Sequence, residues 1–175
     1  MLVIDYAARR DFPLAVRLAA LMHDLGKGMT PPQEWPRHHG HEVLGVRLVE
    51  SVCKRLRIPN DCRDLAVMTA REHGNVSRAL ELRPNTIVSL FERCDAFRKP
   101  QRFAAMLQAA ECDRRGRTGF EDVEFPQAHF LLDALEAARA VDAGAVARRH
   151  ANAPQNIPQA VHAARVAAVA SAVGG

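Results

Sequence analysis

Apolar residues recur along this chain at three- and four-residue intervals, and runs of alternating β-branched residues are nearly absent. That spacing lines side chains along one face of an α-helix, so the pattern predicts an all-α protein. Pro13 opens a first helix that runs through LAVRLAALMHDL to Gly26 and Gly28, with His23 and Asp24 in its last turn. After the Pro-rich stretch TPPQEWPRHHG, Leu44, Leu48, Val52 and Leu56 mark a second helix, closed by Pro59. Asn60 caps a third, which carries Leu65, Met68 and Ala70 and stops at Gly74, leaving His73 at its C-terminal end. Pro84 starts a fourth, in which Ile87, Phe91 and Asp95 share one stripe at four-residue spacing. FPQAHFLLDALEAARAVD and the Ala-rich IPQAVHAARVAAVASAV give two more, and the tail from Val141 is expected to pack loosely.

A chain of 175 residues suits one compact core. The expected division is a helical core over residues 1–115 and a C-terminal helical tail over 116–175, with the stretch from Gly116 to Glu124 between them. With 48% hydrophobic and 25% charged residues, the chain is neither disordered nor a membrane protein in composition. No stretch approaches the roughly 20 apolar residues of a spanning helix, and MLVIDYAARR lacks the apolar core of a signal peptide. Cys53, Cys62, Cys94 and Cys112 form no CxxC pair and read as reduced thiols, so the expected location is the cytoplasm. The expected state is a monomer or homodimer. Between Arg93 and Gly119, seven basic residues stand against three acidic ones, an excess as large as the +4 of the whole chain.

Two features point to chemistry. Asp95 shares its stripe with two large apolar residues, and a carboxylate turned inward needs a cation, a metal or a hydrogen-bond network. The doublet His23-Asp24 lies before a glycine-flanked turn bearing Lys27. Roughly 0.5 such doublets are expected by chance in this composition, so the information lies in its surroundings. Imidazole and carboxylate together suit a divalent cation, and two adjacent ligands need others from different helices. His41 in GHEVLG, His73 in AREHG and Asp95 in FERCDAFRKP are placed to supply them.

That order, a His-Asp doublet followed by two spaced histidines and an inward aspartate, resembles the HD superfamily of metal-dependent phosphohydrolases. HDLGKGMTPPQEWPRHHGHE, DAFRKPQRF and ECDRRGRTGFE narrow the resemblance to the C-terminal phosphohydrolase portion of bacterial CCA-adding enzymes, the tRNA nucleotidyltransferases. The resemblance covers nearly the whole chain and implies an HD-type helical bundle. It also implies hydrolysis of 2',3'-cyclic phosphodiesters, 2'-nucleotides and other phosphomonoesters. Two departures stand out. There is no Asp-x-Asp element preceded by a glycine-serine turn, so nucleotide addition is not expected from this chain. The superfamily's first histidine would fall just before Met1.

The resemblance further implies a divalent ion, Mg, Mn, Ni or Co, held by His23, Asp24, Asp95 and His41. His73 is either a ligand or a general acid for the leaving ribose oxygen. Lys27, Arg98 and Lys99 would offset phosphate charge, and Arg114, Arg115 and Arg117 would contact tRNA phosphates. The implied partners are tRNA or ribonucleotide cyclic phosphates, with a nucleotidyltransferase head in full-length relatives and no membrane. The competing readings are a catalytically impaired tRNA-binding body, with the arginines as a solvated face, and hydrolysis of a nucleotide second messenger.

Overall fold

The computed structural model describes residues 2–174. Among them every regular element is helical: α1 (Leu2–Arg9), α2 (Leu14–Met22), α3 (His41–Arg55), α4 (Asn60–Ser77), α5 (Pro84–Arg93), α6 (Pro100–Arg115), α7 (Pro126–Arg139), α8 (Ala143–Arg149) and α9 (Ile157–Val173). The all-α expectation holds. The periodic pattern locates α2, α3, α4, α5, α7 and α9; the structure adds α1, α6 and α8.

The chain folds as two units that interleave along the sequence. One comprises Met1–Ser77 and Gln101–Phe125, the other Arg78–Pro100 and Pro126–Gly175. In the first unit α2 and α3 both pack on α4, and α1 packs on α2. Small residues allow the close approach: Ala19, Ala20, Ala66 and Ala70 are fully buried or nearly so, with Val16, Val49, Leu65 and Val76 around them. In the second unit α9 lies against α5, α7 and α8, over a core that includes Ile87, Leu90, Phe91 and Leu131. His162 of α9 is seated between Glu92 Oε1 and Asn85 Oδ1 on α5, each 2.9 Å from a ring nitrogen.

Three helix boundaries differ from expectation. The α-helical part of α2 ends at Met22, and the chain tightens into a 3₁₀ turn over Leu25–Met29, so His23 and Asp24 sit at the junction and not inside the last turn. α4 runs through Gly74 to Ser77. The glycine there serves proximity, since a Cβ at position 74 would lie 3.0 Å from Glu42 Oε1 on α3.

The third boundary changes the reading of Asp95. α5 ends at Arg93, where Ala96 N–H donates to Phe91 O at 2.9 Å and Asp95 N–H donates to Glu92 O at 3.1 Å. Asp95 itself has φ +52°. This is a Schellman ending with Asp95 as its left-handed residue, a place that glycine, asparagine and aspartate tolerate. Asp95 is therefore not an inward member of the Ile87–Phe91 stripe: its side chain is about a third exposed and approaches Arg98 Nε at 3.7 Å.

Candidate metal centre

His23, Asp24, His41 and His73 reach one point in the first unit from the end of α2, the start of α3 and the body of α4. Ligand atoms of His23, Asp24 and His73 all lie within 4.8 Å of one another. Asp24 is the hub. Its Oδ2 lies 3.1 Å from His23 Nε2, and its Oδ1 lies 3.3 Å from His41 Nε2 and 3.6 Å from His73 Nε2. The two latter nitrogens are 3.2 Å apart.

The three imidazoles share one orientation. His23 Nδ1 lies 2.8 Å from Ala20 O, and His41 Nδ1 lies 2.9 Å from His38 O. His73 Nδ1 lies 3.1 Å from Thr69 O and 3.2 Å from Ala70 O. A carbonyl can only accept, so each Nδ1 carries a hydrogen and each ring turns its Nε2 toward Asp24. Lone pairs and a carboxylate converging at these distances repel unless a proton or a cation lies among them. His23 Nε2 and Asp24 Oδ1 are buried and have no hydrogen-bond partner. That donor set, imidazole nitrogens fixed by backbone carbonyls around a carboxylate, fits a divalent metal.

The sequence reading did not single out the next contributor. Asp113 on α6 brings Oδ1 to 3.2 Å from His23 Nε2 and is buried. Its signal was available: Phe103, Met106, Ala110 and Asp113 follow helical spacing, and all four are buried. The same argument that singled out Asp95 applies to Asp113 with greater force. Within the first unit Asp113 meets the His-Asp doublet; Asp95 belongs to the second unit.

Each acid has a cation of its own. Lys27 Nζ donates to Asp24 Oδ2 at 2.6 Å from a position about two-fifths exposed. Arg117 Nη2 donates to Asp113 Oδ1 at 2.8 Å, and its Nε to Asp113 O at 3.1 Å. Burial opposes ionisation of Asp113, but the neighbouring His23 and Arg117 outweigh it and hold the carboxyl at about 2. Asp24 is likewise driven well below the usual carboxylate range, where His23 and Lys27 overcome burial. Burial also opposes charge on His23, yet the two carboxylates, Asp113 and Asp24, push it up to about 10. His73 moves the other way, lowered by burial and then by the charge of His23. The two carboxylates thus favour positive charge at His23, while burial favours the neutral form of His73.

Arg114 and Arg115 have side-chain partners within the fold. Arg114 stacks over Phe120, with its guanidinium carbon 4.7 Å from the ring centre. Arg115 donates to Glu111 Oε1 at 2.9 Å and to Glu121 O at 2.9 Å, and lies over Tyr6. These contacts account for the arginines of the RRGRTG stretch within the fold. Arg98 and Lys99 follow the Schellman turn in the second unit, where their backbone N–H groups donate to Asp95 O.

Residues 1–107 match the family model described as HD domain. The chain belongs to the HD domain family. Its helical fold and the convergence of the doublet His23-Asp24 with histidines from α3 and α4 agree with that membership. This HD domain is 63% identical over 177 residues to the Multifunctional CCA protein of Herminiimonas arsenicoxydans, covering 99% of the chain and 43% of the relative. The proteins of that name from Janthinobacterium sp. (strain Marseille) and Cupriavidus taiwanensis are 66% and 60% identical, over 99% of the chain and 42% of each relative. The chain spans about two-fifths of the length of these relatives. No solved structure matches it. No helix among the described residues is long and apolar enough to cross a membrane.

Proposed function

We propose that this HD domain is a metal-dependent phosphohydrolase acting on ribose phosphoesters, 2',3'-cyclic ends and 2'-phosphates above all. The observation that carries the reading is the convergence of His23, His41 and His73, each with Nε2 turned toward Asp24 and Nδ1 held by a carbonyl. His23, Asp24 and Asp113 would hold the ion, joined by His73 and His41. An imidazole-rich set favours Mn, Co or Ni over Mg, which prefers oxygen. Such an ion, when bound, polarises a phosphoryl oxygen and brings the pKa of water toward neutrality.

The chain's own residues supply the rest. Lys27 stands at the rim on Asp24, where its ammonium can turn to a phosphate oxygen. His73, neutral and with its one ring proton donated to the helix backbone, serves as a ligand, so the proton for the leaving ribose oxygen comes from elsewhere, solvent included. The similarity to Multifunctional CCA proteins supports a substrate at tRNA 3' ends and a partner nucleotidyltransferase head within longer relatives.

The purified chain, stripped with chelator, is expected to hydrolyse 2',3'-cyclic AMP when Mn, Co or Ni is restored, and more slowly with Mg. Silence with every ion would overturn the hydrolase reading and favour a tRNA-binding body. A second result separates the two aspartates: Asp113→Asn is expected to weaken Co(II) binding by about 100-fold or more, because it removes the acid beside His23. Asp95→Asn keeps a left-handed-tolerant residue in the Schellman turn and is expected to leave Co(II) affinity within about twofold. Titration followed by the visible absorption of Co(II) reads both.

A further inference from the structure

Asp113 enters the cluster from the last turn of α6, close to where that helix ends. Gly116 is buried, and a Cβ there would lie 2.5 Å from Val3 Cα on α1 and 2.5 Å from Cys112 O. Only a glycine lets α1 lie this close to the end of α6. The chain leaves α6 beneath α1, and the next residue, Arg117, folds back along the helix it has just left. Its guanidinium then grips Asp113 twice, through the carboxylate Oδ1 and through the backbone carbonyl.

The oxygen that Arg117 holds is the one that faces His23 Nε2 at 3.2 Å. The bond from Nε to the Asp113 carbonyl anchors the planar guanidinium, so its Nη2 holds Oδ1 at one place beside His23. Arg117 is itself about half exposed, so its charge adds little to folding stability. Its geometry matters more than its charge.

We infer that Arg117 is the positioning residue for Asp113, and that it sets the affinity of the His23-Asp24-Asp113 site for a divalent cation without contacting the ion or the substrate. The inference rests on the metal-site reading and deepens it. It also gives Arg117 a different part from phosphate recognition. Loosening the support of a metal ligand weakens the site even while every ligand remains.

The test is Co(II) titration of the purified chain and its variants, with melting temperatures measured in chelator. Arg117→Ala is expected to raise the Kd for Co(II) by ~10- to 100-fold while the metal-free melting temperature stays close to that of the wild type. Arg117→Lys keeps the charge but not the fork and is expected to recover only part of the loss. An Arg117→Ala Kd unchanged within twofold, or a tighter one, overturns the inference. So does a variant with unchanged Kd and a raised KM for 2',3'-cyclic AMP, which would make Arg117 a phosphate contact. Failure of the metal site itself is told apart by Asp24→Ala: if the wild type binds Co(II) and Asp24→Ala does not, an unchanged Arg117→Ala condemns the positioning role alone. If the wild type takes up no Co(II), both readings fall.

Discussion

Asp24→Ala is expected to abolish cation binding and to lower hydrolysis of 2',3'-cyclic AMP by ~10³-fold or more, while the helical content is retained. The reason is Asp24's place as hub. It approaches His23, His41 and His73 within 3.6 Å and accepts from Lys27 at 2.6 Å, so it meets all three imidazoles. Removing it leaves the Nε2 atoms of His23, His41 and His73 converging with no carboxylate at their centre. An ion drawn to that site would lose its main anionic ligand.

The fold should survive, because the Asp24 side chain is partly exposed and none of the core contacts among α2, α3 and α4 depends on it. Asp24→Asn is the sharper companion, since it keeps the shape and removes the charge. Equal loss in both variants assigns the effect to the carboxylate; persistent metal-dependent turnover in either would sink the site. Circular dichroism and Co(II) absorption, measured on the same preparations, separate loss of chemistry from loss of structure.

Gly26→Ala is expected to be the most damaging change outside the ligands themselves. A Cβ at this position would lie 1.9 Å from the His41 carbonyl oxygen and 2.6 Å from Gly45 N. Both obstacles are backbone, so no side-chain rotation relieves them, and the 3₁₀ turn must move away from α3. A destabilisation of about 3 kcal/mol is expected, together with loss of metal affinity. The two effects are linked. Asp24 precedes Gly26 by two residues and His41 begins α3, so the contact that the glycine allows is the contact that brings these ligands together.

Gly28 supplies the control, since an added Cβ there meets nothing within 4 Å. Gly28→Ala is expected to leave metal binding intact and to change stability by no more than ~0.5 kcal/mol, in the stabilising direction through the unfolded chain. Thermal denaturation in chelator and Co(II) titration of the two variants read the difference. Equal behaviour of Gly26→Ala and Gly28→Ala would show that the turn is not clamped against α3.

Helical spacing made most of this molecule legible in advance, because apolar stripes such as Leu44–Leu48–Val52 and caps such as Pro84 are local devices. The doublet His23-Asp24 and the single histidines at 41 and 73 were legible for a related reason: each sits at a helix end or on a helix face, within reach of short motifs. Gly74 misled, since a glycine that ends a helix and one that admits a neighbouring side chain look alike in a sequence.

Asp95 and Asp113 mark the limit. Both lie at helical spacing from buried apolar residues, and both have arginines nearby. What separates them is where each helix ends. α5 stops two residues before Asp95, and a Schellman pair of hydrogen bonds turns that residue into the left-handed region. α6 continues to Arg115, so Asp113 stays on the helix face that meets His23.

By itself, then, the amino-acid sequence determined the helical class, most of the helices, and the doublet with its two distant histidines, because these depend on neighbours three or four residues apart. Only the tertiary structure decided that Asp113 meets His23, which nitrogen of each imidazole faces inward, and where Arg115 and Arg117 spend their donors. Those choices rest on contacts between residues as far apart as His23 and Asp113, and no local spacing encodes a distance of 3.2 Å across the fold.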